Sequence, residues 1–272
     1  MSGEETRVAL VTGASSGIGQ ACARALVRKG YRVFGASRRF AATAQSANFA
    51  SIPMNVSSRE SVEAAVATIR STAGRVDLLV NNAGYSLIGS VEDTSDEEAR
   101  AQIETNLLGP WRLCRAVLPM MRDQHRGCII NIGSMGGRIG LPFQAAYSAS
   151  KFGLAGFTEA LSAELRPWPI RVVLIELGDY RTGITAHRKV ALGATGQSAY
   201  KAMFEVASRR IAEAEENGRL PGEVANLVVK VAEADSPRLS YQAGPIIERV
   251  ALIAKAILPS RAFERLLVRQ YS

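Results

Sequence analysis

The feature that most constrains this chain lies at its start. A short apolar run from Arg7 to Val11 leads into TGASSGIG, Thr12 to Gly19, and then into a helical stretch reaching Lys29, which Gly30 would cap. Strand, Gly-rich turn and helix in that order form a cradle for a dinucleotide. Gly13 permits the tight turn, Gly17 lets the backbone approach a pyrophosphate, and Gly19 allows close packing of the helix. The helix N-terminus, with Ser15, Ser16 and Ile18 around it, then faces the phosphates. A Gly-rich turn alone is weak evidence; one placed directly behind an N-terminal strand is much stronger.

The rest of the chain alternates in the same way. Apolar runs at Arg32 to Ala36, Ala50 to Met54, Val76 to Val80, Cys128 to Ile132, Arg171 to Leu177 and Arg238 to Gln242 read as strands. Helical patterns lie between them, one opened by Ser57 with Glu60 as a capping box and running to Ala73. Others span Asp96 to Gln124, Ala145 to Leu165, a stretch from Ser198, and Pro221 to Ala234. The expected fold is α/β: a single Rossmann-type domain over 1–272, doubly wound, with a mostly parallel, seven-stranded sheet. The length of 272 residues and the apolar fraction of 47% allow a core of that size.

The second strand ends in Ser37, Arg38 and Arg39, with no acidic side chain to take the hydroxyls of an unphosphorylated ribose. Arginine suits a 2′-phosphate, so the expected cofactor is NADP(H), with Ser37 and Arg38 as the phosphate binders. Two solvated arginines are the plain alternative.

The chemistry is expected between Asn131 and Lys151. Tyr147 and Lys151 are four residues apart near the start of a helix, so a phenol and an ammonium share one face. A free tyrosine titrates near ~10, and an adjacent fixed cation favours the phenolate. Lowering it to about 7 needs roughly 4 kcal/mol, which a lysine, a second cation and hydrogen bonds could supply together. Ser134 ends a buried strand, so its hydroxyl emerges at the carboxyl edge, where open α/β sheets bind ligands.

Ser134, Tyr147 and Lys151 resemble, in type and spacing, the Ser and YxxxK signature of the short-chain dehydrogenase/reductase family, and TGASSGIG is that family's form of the Gly-rich turn. The resemblance implies an oxidoreductase interconverting a ketone or aldehyde and an alcohol, with Tyr147 as acid/base, Ser134 orienting the carbonyl and Lys151 on the nicotinamide ribose. It implies that Asn106 holds a water in the proton relay, and that NNAG, Asn81 to Gly84, supports the sheet and places Asn82, Ala83 and Gly84 beside the cofactor. Asn55 stands where relatives usually carry Asp and, with Val56, is expected at the adenine. LGDYRT, Leu177 to Thr182, resembles PGxxxT, so Gly178 and Thr182 are expected at the nicotinamide, with Leu177 in place of the usual proline. Relatives are usually dimers or tetramers built on the helices around Asn106 and Tyr147.

Leu141, Phe143 and Tyr180 flank the site and are apolar or amphipathic, which favours a bulky lipophilic ketone or secondary alcohol. Residues 183–218 form a loosened segment, the natural substrate lid. The end of the chain, 245–272, carries two amphipathic helical patterns, with Ile246, Ile247, Val250, Ile253 and Ile257 apolar and Arg249, Lys255, Arg261, Arg265 and Arg269 basic. Such a tail resembles those of members acting on steroids, retinoids and other lipophilic alcohols. It could cover the sheet, make a subunit contact or touch a membrane surface. The competing readings are a ketoacyl-carrier-protein-type reductase and an NADP-binding regulator without turnover.

Other classes find little support. The formal charge of +8 is spread along the chain without aromatic interleaving, which argues against nucleic acid. Three scattered cysteines and two histidines give no metal-ligand spacing. The opening MSGEET has no charged and apolar leader pattern, and no run approaches 18 uncharged apolar residues. A cytoplasmic enzyme is the expectation.

Overall fold

The computed structural model describes residues 6–38, 45–181 and 188–271. In chain order the elements are β1 (Val8–Thr12), α1 (Gly17–Arg28), β2 (Arg32–Ser37), β3 (Gln45–Ser46), β4 (Phe49–Pro53), α2 (Arg59–Ala73), β5 (Leu78–Asn81) and β6 (Leu87–Ile88). Then come α3 (Asp96–Ile103), a π-turn (Glu104–Leu108), α4 (Gly109–Asp123), β7 (Gly127–Ser134), α5 (Ala145–Glu164) and β8 (Ile170–Leu177). The last part holds β9 (Lys189–Val190), α6 (Lys201–Glu216), α7 (Pro221–Glu233), β10 (Ser240–Ala243), α8 (Ile246–Ile257) and α9 (Ser260–Tyr271).

The main sheet has the order β10-β8-β7-β5-β1-β2-β4-β3. Seven strands run parallel, and only the two-residue β3 at the edge is antiparallel, against β4. The strand order reverses between β1 and β5, so the carboxyl ends of β1, β5 and β7 open onto one crevice. The strands are apolar on both faces because helices cover both. Leu10, Leu79 and Ile129 pack with α2 and α4 residues such as Val66 and Val117, while Ala9, Val80 and Ile130 pack with α1 and α7 residues such as Leu26 and Val228.

Two local expectations are corrected. The cap of α2 is Ser58, whose hydroxyl accepts from the Ser61 N–H and bonds Glu60, while the Ser57 hydroxyl pairs with Thr105. The full capping box is at α3, where Ser95 and Glu98 satisfy each other's backbone N–H. The expected helix from Asp96 to Gln124 is interrupted at Glu104–Leu108, where Gly109 N–H reaches back to Glu104 O and widens one turn around Asn106.

Candidate active site

The turn after β1 has the geometry a dinucleotide needs. Gly13 and Gly17 sit at φ 68° and 53°, conformations that side chains rarely adopt. A Cβ on Gly19 would run into the carbonyl of Gly13 and the amide of Asn82, so α1 lies directly against the turn. Ser16 begins α1 without using its side chain as a cap, and no acidic residue stands in the first turn. Those free N–H groups and the bare positive end of the helix dipole fit a pyrophosphate. The Ser15 and Ser37 hydroxyls are 2.8 Å apart, joining the turn to the end of β2. Arg38 follows, exposed, within electrostatic reach of Tyr85 on the crevice wall. Residues of the described chain thus fit a phosphorylated dinucleotide.

Thr12 fixes the opposite rim. Its hydroxyl accepts from Asn82 and Ala83 N–H, both at 2.9 Å, and its carbonyl accepts from the Asn82 amide at 2.9 Å. Asn81 points the other way and donates to Asn131 at 2.8 Å, which donates to Thr158 on α5 at 2.9 Å. This buried chain of amides ties β5 to β7 and β7 to the catalytic helix candidate α5. Thr12 and Asn131 were not singled out in the sequence, although both lie inside recognised motifs.

Ser134 ends β7 as expected, its hydroxyl accepting from Gly136 N–H at 3.0 Å and standing near enough to Tyr147 to favour the phenolate. Tyr147 and Lys151 share one face of α5, and both border a cavity of about 290 Å³ together with Ser134, Ile18, Asn82 and Gly84. Burial pushes the Tyr147 phenol up to about 12, partly offset by Ser134, and pushes the Lys151 ammonium down to about 8. The expected lowering of the phenol by the lysine is therefore absent here. Lys151 Nζ lies 5.9 Å from the Tyr147 ring and donates to Ile132 O at 2.9 Å, so burial outweighs the cation.

Asn106 is buried in the π-turn, and its amide is taken up by neighbours. Nδ2 donates to Tyr85 O at 3.0 Å and to Ser150 Oγ at 3.2 Å, while Oδ1 accepts from Tyr85 N–H. Ser150 in turn donates to the Tyr147 carbonyl at 2.6 Å. The side chain therefore anchors the strand-end loop to α5, one step from Tyr147.

The remaining expected residues divide. Gly178, Tyr180 and Leu141 line the cavity. Phe143 does not. It adopts φ 59° and packs edge-on against Phe204 of α6 at 5.8 Å, beside a separate hollow lined by Met203 and Val206. Asn55 is exposed, its Oδ1 closing a turn with Ser57 N–H, and buried Val56 packs beneath Gly109. Neither borders the cavity. Thr182 and Arg39 lie outside the described residues.

The far wall holds groups the sequence did not single out: Asp179, Arg210, Glu215, Glu248 and Tyr271. Glu248 accepts from Asp179 N–H at 3.2 Å, and a Cβ at Gly178 would run into its carboxylate. Glu215 forms a buried ion pair with Arg188. These contacts join residues far apart in the chain, and no local pattern announces them. Among the described residues no cluster of three or more His, Cys, Asp or Glu side chains has metal-binding geometry, and the three cysteines are buried.

With this geometry established, comparison with known proteins gives the class. Residues 7–192 match the model described as short chain dehydrogenase. The chain is 38% identical, over 96% of both sequences, to the 3-ketodihydrosphingosine reductase of Bacteroides thetaiotaomicron. It is also 40% identical to the 3-oxoacyl-(acyl-carrier-protein) reductase of Escherichia coli, over 66% of this chain and 76% of that one. A solved short-chain dehydrogenase from Streptomyces avermitilis superposes with a TM-score of 0.84 at 30% identity, covering 97% of each chain. Similar solved chains at TM-scores of 0.76 and 0.68 are complexes with NADP. The protein belongs to the short-chain dehydrogenase/reductase family and is an oxidoreductase of that family.

Proposed function

We propose that this chain is an NADP(H)-dependent reductase of a bulky lipophilic ketone, working as one domain over 1–272. The observation that carries the reading is the placing of Ser134, Tyr147 and buried Lys151 on the wall of one cavity, with the last two on one face of α5. NADPH, when bound, supplies hydride. It would be held by Gly13, Ser15, Ser16, Gly17, Ile18 and Gly19, by Asn82, Ala83 and Gly84, and by Gly178, with Thr182 expected from the motif. Ser37 and Arg38 would take the 2′-phosphate.

Tyr147 gives its hydroxyl proton to the carbonyl oxygen, and Ser134 orients that oxygen. A phenol with a raised pKa suits this direction, since it stays protonated until the oxygen becomes basic. Lys151, pushed down to about 8, exchanges its own proton near neutral pH and can restore the one that Tyr147 gives up. Asn106 acts as a positioning residue through Ser150; a water-borne relay at that turn is the further expectation.

The cavity's lining of Met135, Ile139, Leu141, Ile211 and Leu267 favours an aliphatic substrate, and the Bacteroides relative is a 3-ketodihydrosphingosine reductase. The segment 188–216 supplies Arg210, Ile211, Ala214 and Glu215 to that wall, in keeping with a lid over 183–218. Trp111, 53% exposed on α4 and 5.2 Å from Phe157 on α5, supports a homodimer or homotetramer built on those helices.

The test is NADPH oxidation with a long-chain ketone and with a ketoacyl thioester. Preference for the ketone supports the reading. Exclusive use of the thioester would make the chain a carrier-protein-linked reductase, and turnover of neither with cofactor bound would make it a regulator.

A further inference from the structure

Helix α8 is mounted the wrong way round for a helix facing water. Two of its three charged side chains hold it to the body: Glu248 accepts from the Asp179 backbone, and Lys255 donates to the Arg138 carbonyl and lies 5.2 Å over the Phe152 ring. Its isoleucine and valine side chains point outward, while Ala251, on the cavity, and half-buried Leu252 lie on the inner side. Ile246, Val250, Ile253 and Ile257 share the opposite face and are 72, 51, 59 and 75% exposed, and no residue of α8 is buried. On α9, Leu267 and Tyr271 turn inward to the cavity, while Leu266 and Val268 are exposed. A contiguous apolar face of this kind marks an interaction surface.

From this geometry we infer that α8 and α9 seat the protein on an anionic lipid surface, with the mouth of the substrate cavity turned towards it. Ile247 belongs to both features, bordering the cavity while 76% exposed. The apolar face is therefore continuous with the cavity wall, and an aliphatic substrate could pass from a leaflet to Ser134 without crossing water.

Charge selects lipid over a second copy. The two helices carry Arg249, Lys255, Arg261, Arg265 and Arg269 against Glu248 and Glu264, and Glu248 is committed inward. Arg249, Arg261, Arg265 and Arg269 are exposed around the apolar face. A two-fold contact through this face would bring cations against cations. Anionic headgroups would neutralise them while the aliphatic residues enter the acyl boundary.

The experiment is flotation of the full chain with phosphatidylcholine vesicles and with vesicles containing phosphatidylglycerol. Capture is expected on the anionic vesicles and is expected to weaken at high salt. Ile246→Glu with Ile253→Glu should lower capture roughly tenfold, and Arg261→Glu with Arg265→Glu should lower it independently. Both variants should keep the thermal melt and the turnover of a water-soluble ketone. No capture, equal capture on both vesicle types, or unchanged capture of the variants would overturn the inference. So would a variant that binds vesicles normally but loses an oligomeric state, since a second copy would then be what covers α8. Flotation requires no turnover, so it can fail while the reductase reading stands.

Discussion

The two walls of the cavity are built by different means. On the motif side, formed by the turn after β1, the end of β5 and the start of α5, polar side chains are bound to backbone or to one another inside the sheet. Thr12 clamps Asn82 and Ala83, Asn81 holds Asn131, and Asn106 holds Tyr85. On the far side, Asp179, Glu215, Glu248 and Tyr271 come from four separate segments, with Glu248 held to the Asp179 backbone and Glu215 in a buried ion pair with Arg188. The sheet beneath the reacting end is thus preset by neutral hydrogen bonds that do not change with pH, and Lys151 is the group that titrates above it. The substrate end is assembled by groups whose charge does change.

The sharpest way to break that contrast is at Tyr147. Tyr147→Phe keeps the ring and removes the hydroxyl, so reductase turnover should fall by about 10²–10⁴-fold while NADPH binding by isothermal titration is unchanged. Activity near the parent level would remove Tyr147 as the acid. Arg38→Ala removes a charge-assisted contact of about 1.5–3 kcal/mol, so NADPH should bind roughly 10- to 100-fold more weakly and NADH about as before. Equal loss for both cofactors would show that Arg38 does not read the 2′-phosphate. Asn131→Leu fills a similar volume but strips a partner from Asn81 and Thr158, both buried. It should lower unfolding stability by about 1–3 kcal/mol in a denaturant titration. An unchanged midpoint would mean that the amide chain is dispensable.

The same division explains what the sequence made legible. The order of strands and helices, the glycines of the first turn and the Ser134, Tyr147 and Lys151 set are local patterns, and the fold brings them together as their spacing implied. The pKa of Tyr147 was not legible, because burial is a property of the assembled site and it outweighed the neighbouring cation. Phe143 was misplaced for a related reason: it packs against Phe204, a contact between segments 61 residues apart that no local pattern announces. Glu248 gave no signal at all, since its partner Asp179 is 69 residues away and the helix that carries it reads as an ordinary amphipathic one. Patterns report which face of a helix is apolar, but not which face is turned inward.

Glu248 offers the smallest effect and the finest test of the contrast. Burial and the facing Asp179 carboxyl raise it from 4.5 to about 7, and Asp179 is raised as well, by burial and by Glu215 nearby, against the opposing pull of its contact with Glu248 and of Arg188. The other charged or titratable groups around the pair are Arg188, Arg210, Tyr147, Tyr180 and Tyr271. An acid whose pKa is raised on folding binds its proton more tightly in the folded state. Its contribution is therefore fully present below about 4.5 and is lost as pH rises through about 7. Above that pH the Glu248 and Asp179 carboxylates repel, and α8 should open more readily from Gly178. Glu248 is partly solvated, which discounts the effect to a few-fold change in local opening. Hydrogen exchange of the α8 amides, corrected for intrinsic rates, should show protection falling between pH 5.5 and 8, within about two units of that pKa. Glu248→Gln should flatten the profile while keeping an acceptor for Asp179 N–H. The Asn81–Asn131 amides, whose neighbour Cys114 is pushed up by burial to about 12 and stays a thiol over this range, should show no such slope. A parallel slope in both regions would mean that the whole fold loosens together, and the two walls would no longer be distinct in kind.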